Sequence, residues 1–362
     1  MRAVPALKPD AVFAELEKRI AAGRWQVGER IPTEVALAAE FRCSRTTVSK
    51  ALSRLTHAGV VERRTRDGTR VLRASAASPG LEARAFVYPS ERHEGIWRTV
   101  CGFQEAAFAA ERPTLMLPTG ADQRKGAEMV GRLGELGVKG AVLWPVILTA
   151  RDHEYYVRMI QACPVPLVLA EVNLPGVRRP AAVPDGFHAG YTATRHLLRR
   201  GLRKIGFLAN FAWAPLTRDK YLGYRQAMEE ADLDGASPRV LLEDAMTPRF
   251  GGADDVLREP KAVAARYLAA QRDLEAVVCG NDYMALGLLA VARKRKRRVP
   301  DDLKVVGIDD FGPAAEAGLT TYRIPYEEIG RRAFALLEGG IAGQGGAPES
   351  QVRGELVIRA SA

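Results

Sequence analysis

Cys43-Ser44-Arg45-Thr46-Thr47-Val48-Ser49-Lys50-Ala51-Leu52-Ser53-Arg54-Leu55 is the stretch on which the reading of this chain turns. Val48, Ala51, Leu52 and Leu55 recur at helical spacing, so they predict one buried stripe. Ser44 is a helix N-cap, and Gly59 stands where a left-handed residue ends a helix. Arg45, Thr46 and Ser49 fall together on a second face, near the helix N-terminus. Hydroxyls and a guanidinium there suit phosphate oxygens and guanine edges. The bland alternative is a surface helix with a solvated polar face, and the flanking chain has to decide between the two.

Upstream, Asp10 to Ala22 reads as an amphipathic helix with Val12, Phe13, Leu16 and Ile20 on one side. Gly23 stops it, and Gly28 and Pro32 mark a turn. Thr33 caps a second helix, Glu34 to Phe41, with Val35, Leu37 and Ala38 as its apolar positions. Downstream, Val60-Val61-Glu62-Arg63-Arg64 and Thr69-Arg70-Val71-Leu72 flank Asp67-Gly68, a hairpin signal. Three helices followed by a basic hairpin make a winged helix-turn-helix.

Residues 10–73 resemble the DNA-binding domain of the GntR family. The matching stretches are Ile20-Ala-Ala-Gly-Arg-Trp-Gln-Val-Gly-Glu-Arg-Ile-Pro-Thr-Glu, Ser44-Arg45-Thr46-Thr47-Val48, Lys50-Ala51-Leu52, and Gly59-Val-Val-Glu-Arg-Arg with Asp67-Gly68-Thr69. The resemblance implies that Arg45, Thr46 and Thr47 contact bases and phosphates and that the wing tip enters the minor groove. The DNA-binding set is therefore Thr33, Ser44, Arg45, Thr46, Thr47, Ser49, Lys50, Arg64, Arg66 and Gly68. Three positions depart from the pattern. Val35 and Ser49 stand where arginines are common, and Arg66 replaces a wing glycine, which offers a guanidinium to a narrow minor groove.

The charge distribution agrees. The chain has 362 residues, 47% hydrophobic and 27% charged, with a net charge of +10. Residues 1–75 hold fifteen Lys/Arg against eight acids, so most of the excess lies in the first fifth. Four dispersed cysteines form no CxxC pair and fit a reducing compartment. Without a signal-peptide core or a membrane-length apolar run, the expected location is cytoplasmic, with no membrane partner. Ala74 to Gly80 is small, polar and turn-prone, so residues 74–82 read as a linker between a domain at 1–73 and one at 83–362.

From Ala83 onward, near-continuous apolar strands alternate with helices, which means a parallel sheet covered on both faces. The strands begin with Ala85-Phe-Val-Tyr, Thr114-Leu-Met-Leu, Gly140-Ala-Val-Leu-Trp and Pro166-Leu-Val-Leu-Ala. Residues 83–362 resemble the effector domain of the LacI/GalR family, itself akin to periplasmic sugar-binding proteins. The resemblance rests on Asp185-Gly-Phe-His-Ala-Gly-Tyr, His196-Leu-Leu-Arg-Arg-Gly-Leu-Arg-Lys-Ile-Gly-Phe, Lys220-Tyr-Leu-Gly-Tyr, Cys279-Gly-Asn-Asp-Tyr-Met-Ala-Leu-Gly, Val299-Pro-Asp-Asp-Leu-Lys-Val-Val-Gly-Ile-Asp-Asp, Leu319-Thr-Thr and Glu355-Leu-Val-Ile-Arg. It implies two doubly wound α/β subdomains, expected at 83–185 plus 311–325 and at 186–310 plus 326–362. A GntR-type reader joined to such a sensor is the plan of the arabinose repressors.

The resemblance places residues matching Asp185 and Asp282 in the cleft between subdomains, where a carboxylate accepts hydrogen bonds from neighbouring sugar hydroxyls. The competing reading of each is a helix or loop cap. Lys220 stands where the family has an arginine, and lysine lacks the planar fork. Arg218 is the alternative guanidinium, and an exposed helical charge is the alternative role for Lys220. Tyr88, Trp97, Phe211 and Trp213 lie near strand ends, where an aromatic ring stacks on a sugar face. Asp309-Asp310 reads as a structural clamp where the chain crosses between subdomains.

No GxSxG, HExxH, P-loop or paired Cys/His set is present, so no enzyme, metal site or cofactor is expected. The expectation is a ligand-responsive transcriptional repressor. Its partners are a double-stranded DNA operator, a sugar-like small-molecule effector and a second copy of the chain as a homodimer. The alternative is a co-repressor-dependent regulator binding a non-sugar metabolite.

Overall fold

The computed structural model describes residues 9–64, 68–72, 82–89, 93–120, 123–145, 147, 150–233, 239–243, 256–344 and 349–362. It falls into two compact units, Met1–Leu81 and Glu82–Ala362.

The first unit contains α1 (Pro9–Ala21), α2 (Glu34–Glu40), α3 (Arg45–His57) and a hairpin of β1 (Val61–Arg64) with β2 (Gly68–Val71). The strands are antiparallel, with Val61 opposite Val71 and Arg64 opposite Gly68. The expected stripe of Val48, Ala51, Leu52 and Leu55 is 0% exposed. It packs with Val12, Leu16 and Ile20 of α1, Leu37 of α2 and Val60, Val61 and Val71 of the hairpin. Ser44 Oγ accepts the Thr47 N–H at 3.1 Å, which caps α3. Gly59 has φ 65°, the left-handed conformation that ends a helix without Cβ strain. One apolar expectation differs: Val35 is 64% exposed. In a helix as short as α2, Leu37 and the helix-flanking Ile31 and Phe41 already fill the core contact.

The second unit holds two six-stranded sheets. In chain order it runs β3 (Arg84–Tyr88), α4 (Glu94–Ala109), β4 (Thr114–Pro118), α5 (Gln123–Arg132), β5 (Gly140–Leu143), α6 (Ala150–Gln161), β6 (Leu167–Ala170) and β7 (Ala181–Pro184). The chain continues through α7 (Gly186–Arg199), β8 (Ile205–Asn210), α8 (Pro215–Glu229), β9 (Val240–Glu243), α9 (Arg258–Ala270), β10 (Ala276–Cys279), α10 (Asp282–Lys294) and β11 (Lys304–Asp309). It ends with α11 (Gly312–Glu316), β12 (Thr320–Arg323), α12 (Tyr326–Ile341), β13 (Glu349–Val352) and β14 (Glu355–Val357). One sheet has the order β13-β7-β6-β5-β3-β4 and the other β14-β12-β11-β10-β8-β9. All pairings are parallel except β12 with β14.

This topology corrects the expected subdomain boundaries. Residues 311–323 belong with the second sheet, because β12 pairs with β11. α12 and β13 belong with the first, because β13 pairs with β7 and α12 lies on α4. The physical reason is the apolar stripe of α12, Ile329, Ala333, Phe334 and Leu337, which packs on α4 and the strands of the first lobe, while Tyr326 at its start reaches both lobes. Phe334 meets Phe103 of α4 edge to face at 5.6 Å. Glycine makes the crossing possible: a Cβ on Gly102 would lie 1.9 Å from Glu327 O, and one on Gly330 2.0 Å from Thr99 O. The chain thus passes between lobes three times: at Asp185, at Ile324-Pro325 and at Arg353-Gly354.

Candidate functional site

On the first unit, Thr33 caps α2 by accepting the Ala36 N–H at 3.3 Å. Thr33, Ser44, Arg45, Thr46 and Lys50 are exposed, and Thr47 and Ser49 are partly so. Glu34, the first residue of α2, ties this surface together. Its Oε2 accepts from Arg45 Nε at 3.0 Å, and its Oε1 accepts from the Arg63 guanidinium of β1. The starts of α2 and α3 and the wing strand therefore share one face. Gly68 opens β2 with φ 81° and is exposed. Arg64 ends β1, and Arg66 lies outside the described residues.

On the second unit, the carboxyl ends of the two sheets meet, which is where open α/β sheets hold ligands. Contacts cross from lobe to lobe. Gly312 N–H donates to Glu94 Oε2 at 2.8 Å, and the His93 ring meets Phe311 edge to face at 5.3 Å. Phe311 stacks on Tyr326 at 5.8 Å, and Trp144 also stacks on that tyrosine at 6.5 Å. Burial among these rings pushes the His93 imidazole down to about 4.

The cleft also holds buried charge. Lys220 is 5% exposed, and its Nζ donates to Gly280 O at 2.8 Å. The exposed-charge reading of Lys220 is therefore wrong; Arg218 is the exposed one. α7 and α8 cross so closely that a Cβ on Gly190 would lie 1.9 Å from Lys220 O, and this crossing fixes the lysine against the sheet. Glu171 and Asp309 feel its charge. Desolvation pushes the Glu171 carboxyl up to about 7 while Lys220 pulls it down. Desolvation likewise pushes Asp309 up to about 6, against Lys220 and the Tyr326 hydroxyl, which donates to Asp309 Oδ1 at 3.0 Å. The Glu171 backbone N–H donates to Ala182 O at 2.8 Å, but its carboxylate has no hydrogen bond or salt bridge among the described residues. Three strand ends here carry non-glycine residues at positive φ: Glu171 at 69°, Phe211 at 54° and Asp310 at 61°. Strained backbone of this kind concentrates at binding sites.

Asp282 is 0% exposed and both its oxygens are engaged. Oδ1 accepts from Thr321 Oγ1 at 2.6 Å and Oδ2 from the Phe311 N–H at 3.0 Å. Desolvation first, then the nearby Asp309 charge, pushes its carboxyl up to about 7. The cap of α10 is Asn281, whose Oδ1 accepts the Met284 N–H at 2.9 Å, so the cap reading of Asp282 fails by one residue. Asp185 does cap: Oδ1 accepts the His188 N–H at 2.9 Å, and Oδ2 pairs with Arg353 Nε at 2.9 Å. It stands at a crossing between lobes. Asp310 pairs with Arg323 at 2.7 Å and Arg359 at 2.6 Å, a clamp on β12, after which the chain crosses.

The aromatic candidates separate. Tyr88 is 2% exposed and packs edge to face on Phe86 at 5.9 Å, while Trp97 is 46% exposed on α4. Trp213 follows β8 beside Phe211, ring centroids 6.1 Å apart. Its Nε1 is buried and has no hydrogen-bond partner among the described residues. Sequence reasoning missed Glu171, Trp144, Phe311 and His93. Their signal was only a position just past a strand or before a helix. Among the described residues no group of His, Cys, Asp and Glu has the arrangement of a metal site.

Comparison with known proteins follows this geometry. The profile of the bacterial regulatory proteins of the gntR family matches residues 8–71, and that of the periplasmic binding protein-like domain matches residues 194–362. An HTH-type transcriptional regulator from the aml 5' region of Streptomyces limosus is 34% identical over 307 residues, 81% of each chain. The arabinose metabolism transcriptional repressor of Geobacillus stearothermophilus is 27% identical over 331 residues, 89% of this chain and 88% of that one. Among solved structures, the complex of the regulator CelR with cellobiose superposes with a TM-score of 0.66 at 22% identity, covering 92% of this chain and all of that one. A LacI family regulator from Mycobacterium smegmatis gives 0.63 at 23% identity, over 77% of this chain and 99% of that one. The gntR-family match and the relative from Streptomyces limosus define a DNA-binding transcriptional regulator rather than an enzyme. The chain belongs to the HTH-type bacterial transcriptional regulators and joins a GntR-type winged helix to a periplasmic binding protein-like domain. No helix among the described residues is long and apolar enough to cross a membrane.

Proposed function

We propose that the chain is a sugar-responsive repressor. Two copies pair through their effector domains and present two winged helices to a near-palindromic operator. Arg45 reads a base edge, with Thr46, Thr47, Ser49 and Lys50 around it. The effector occupies the space between the two lobes and changes operator affinity by stabilising one arrangement of them.

The observation that carries this reading is the chemistry of the cleft. Glu171, Asp309 and Lys220 supply polar groups beside the rings of Trp144, Phe311 and Tyr326, and the Trp213 indole N–H, past the end of β8, is buried without a partner among the described residues. Acceptors of this kind suit a ligand rich in hydroxyls, and the rings suit its apolar face. Asp309 balances the one ammonium and Glu171, pushed up to about 7, adds no positive charge, so the site has no net positive charge to hold a phosphate and favours a neutral sugar. The CelR–cellobiose complex and the arabinose repressor support the ligand class. Asp282 supports the site from behind by holding Thr321 and the Phe311 backbone. Asp185 acts at the crossing between lobes.

The test is a thermal-shift screen of neutral mono- and disaccharides beside their phosphates, repeated as a gel-shift titration on DNA upstream of the protein's own gene. Stabilisation by a neutral sugar that also changes operator binding is expected. A response confined to phosphorylated or non-sugar metabolites overturns the ligand class.

A further inference from the structure

One side chain on the reading face has the wrong sign for a surface that meets phosphates. Glu34 lies between Arg45 of α3 and Arg63 of β1 and pairs with both. Its side chain is only 16% exposed, whereas Arg45 is 73% and Arg63 39% exposed. The Arg45 hydrogen bond, with the Ser49 hydroxyl and the Arg63 charge, holds the Glu34 carboxyl below the usual carboxylate range. Arg63 also reaches across to Ser53 Oγ of α3 at 3.3 Å. One carboxylate therefore links the first turn of α2, the first turn of α3 and the wing.

The contact with Arg45 is made through Nε, which leaves both Nη groups available. Those two groups form the end-on fork that matches guanine O6 and N7. A free arginine on an exposed helix samples many rotamers and loses that freedom on binding. Pinning at Nε removes part of the loss beforehand and fixes the direction of the fork. The same anion repels the phosphate backbone, so it lowers the sequence-independent part of binding.

We infer that Glu34 is the positioning residue of the operator-reading face: it aims the Arg45 guanidinium, braces the wing through Arg63, and raises sequence discrimination at the expense of bulk DNA affinity. The inference rests on the proposed reading of Arg45 as a base contact, and its test separates the two.

The experiment uses the full-length chain with two duplexes of equal length. One is selected by repeated enrichment on the wild-type protein, and the other is of scrambled sequence. Affinities are measured by fluorescence anisotropy across a salt series for wild type, E34Q, R45A and the double variant. E34Q keeps the size of the side chain and removes its charge. It should bind the scrambled duplex more tightly, with a steeper salt dependence, and lose roughly tenfold in selected-to-scrambled ratio. In the R45A background, E34Q should leave that ratio unchanged. An unaltered ratio in E34Q, or an equal weakening on both duplexes with a lowered melting temperature, overturns the inference. If R45A by itself leaves the ratio at the wild-type value, the reading of Arg45 fails instead.

Discussion

Arg45, Trp213 and Glu171 make the sharpest residue-scale tests. Arg45→Ala should cost about 1–3 kcal/mol of operator affinity, measured by anisotropy, if the side chain reads a base. Trp213→Phe keeps a ring beside Phe211 and removes only the unpartnered indole N–H. Effector affinity by calorimetry should fall by about 0.5–1.5 kcal/mol while the melting temperature holds. Glu171 gives a pH signature. Its folded carboxyl is pushed up to about 7, well above the usual value of an unfolded chain. Between those values the folded state binds the extra proton, so stability falls as pH rises toward 7 and is flat above. His93, pushed down to about 4, acts oppositely below the ordinary imidazole range. A window of about pH 6.5 to 7.5 avoids the opposing effect of His93, while Asp282, pushed up to about 7, and Asp309, to about 6, add falls of the same sign as Glu171. Glu171→Gln should reduce the fall in melting temperature across it; an unchanged slope would refute the assignment. Ser44 was legible in sequence because a cap is a local hydrogen bond. Glu171 was not, because its character comes from desolvation and from Lys220, 49 positions along the chain.

Elements were legible wherever one face meets one core. The α3 stripe and the strand–helix alternation follow from periodicity alone, and both stand in the structure. Which sheet a late strand joins is a different kind of information. β12 and β13 are four residues each and equally suited to either lobe. β12 joins the second sheet through β11, whereas the placement of β13 depends on α12 finding α4, a contact across more than 200 residues. Gly102 and Gly330 mark that contact, yet nothing in their local sequence announces it. Gly330→Ala places a methyl against the Thr99 carbonyl and should destabilise the effector domain by about 1–3 kcal/mol, read by urea denaturation. No loss of stability would mean that the two helices are not held this tightly.

For the whole molecule, linkage makes a demand that no single residue can evade. If the effector changes operator affinity by some factor, operator DNA must change effector affinity by the same factor. Titrating the effector with and without saturating operator measures that factor, and a factor of one would show that the two sites are not coupled. The three strand-to-lobe passages bear on what that equilibrium moves. Asp185 holds Arg353, and the Tyr322 hydroxyl meets both His188 Nδ1 and the Gly354 N–H, each at 2.7 Å. A door hung on three linked pins can swing but cannot slide. If a ligand closes the cleft, the closure would be an angle, smallest beside the pins and largest at the far rim of each lobe.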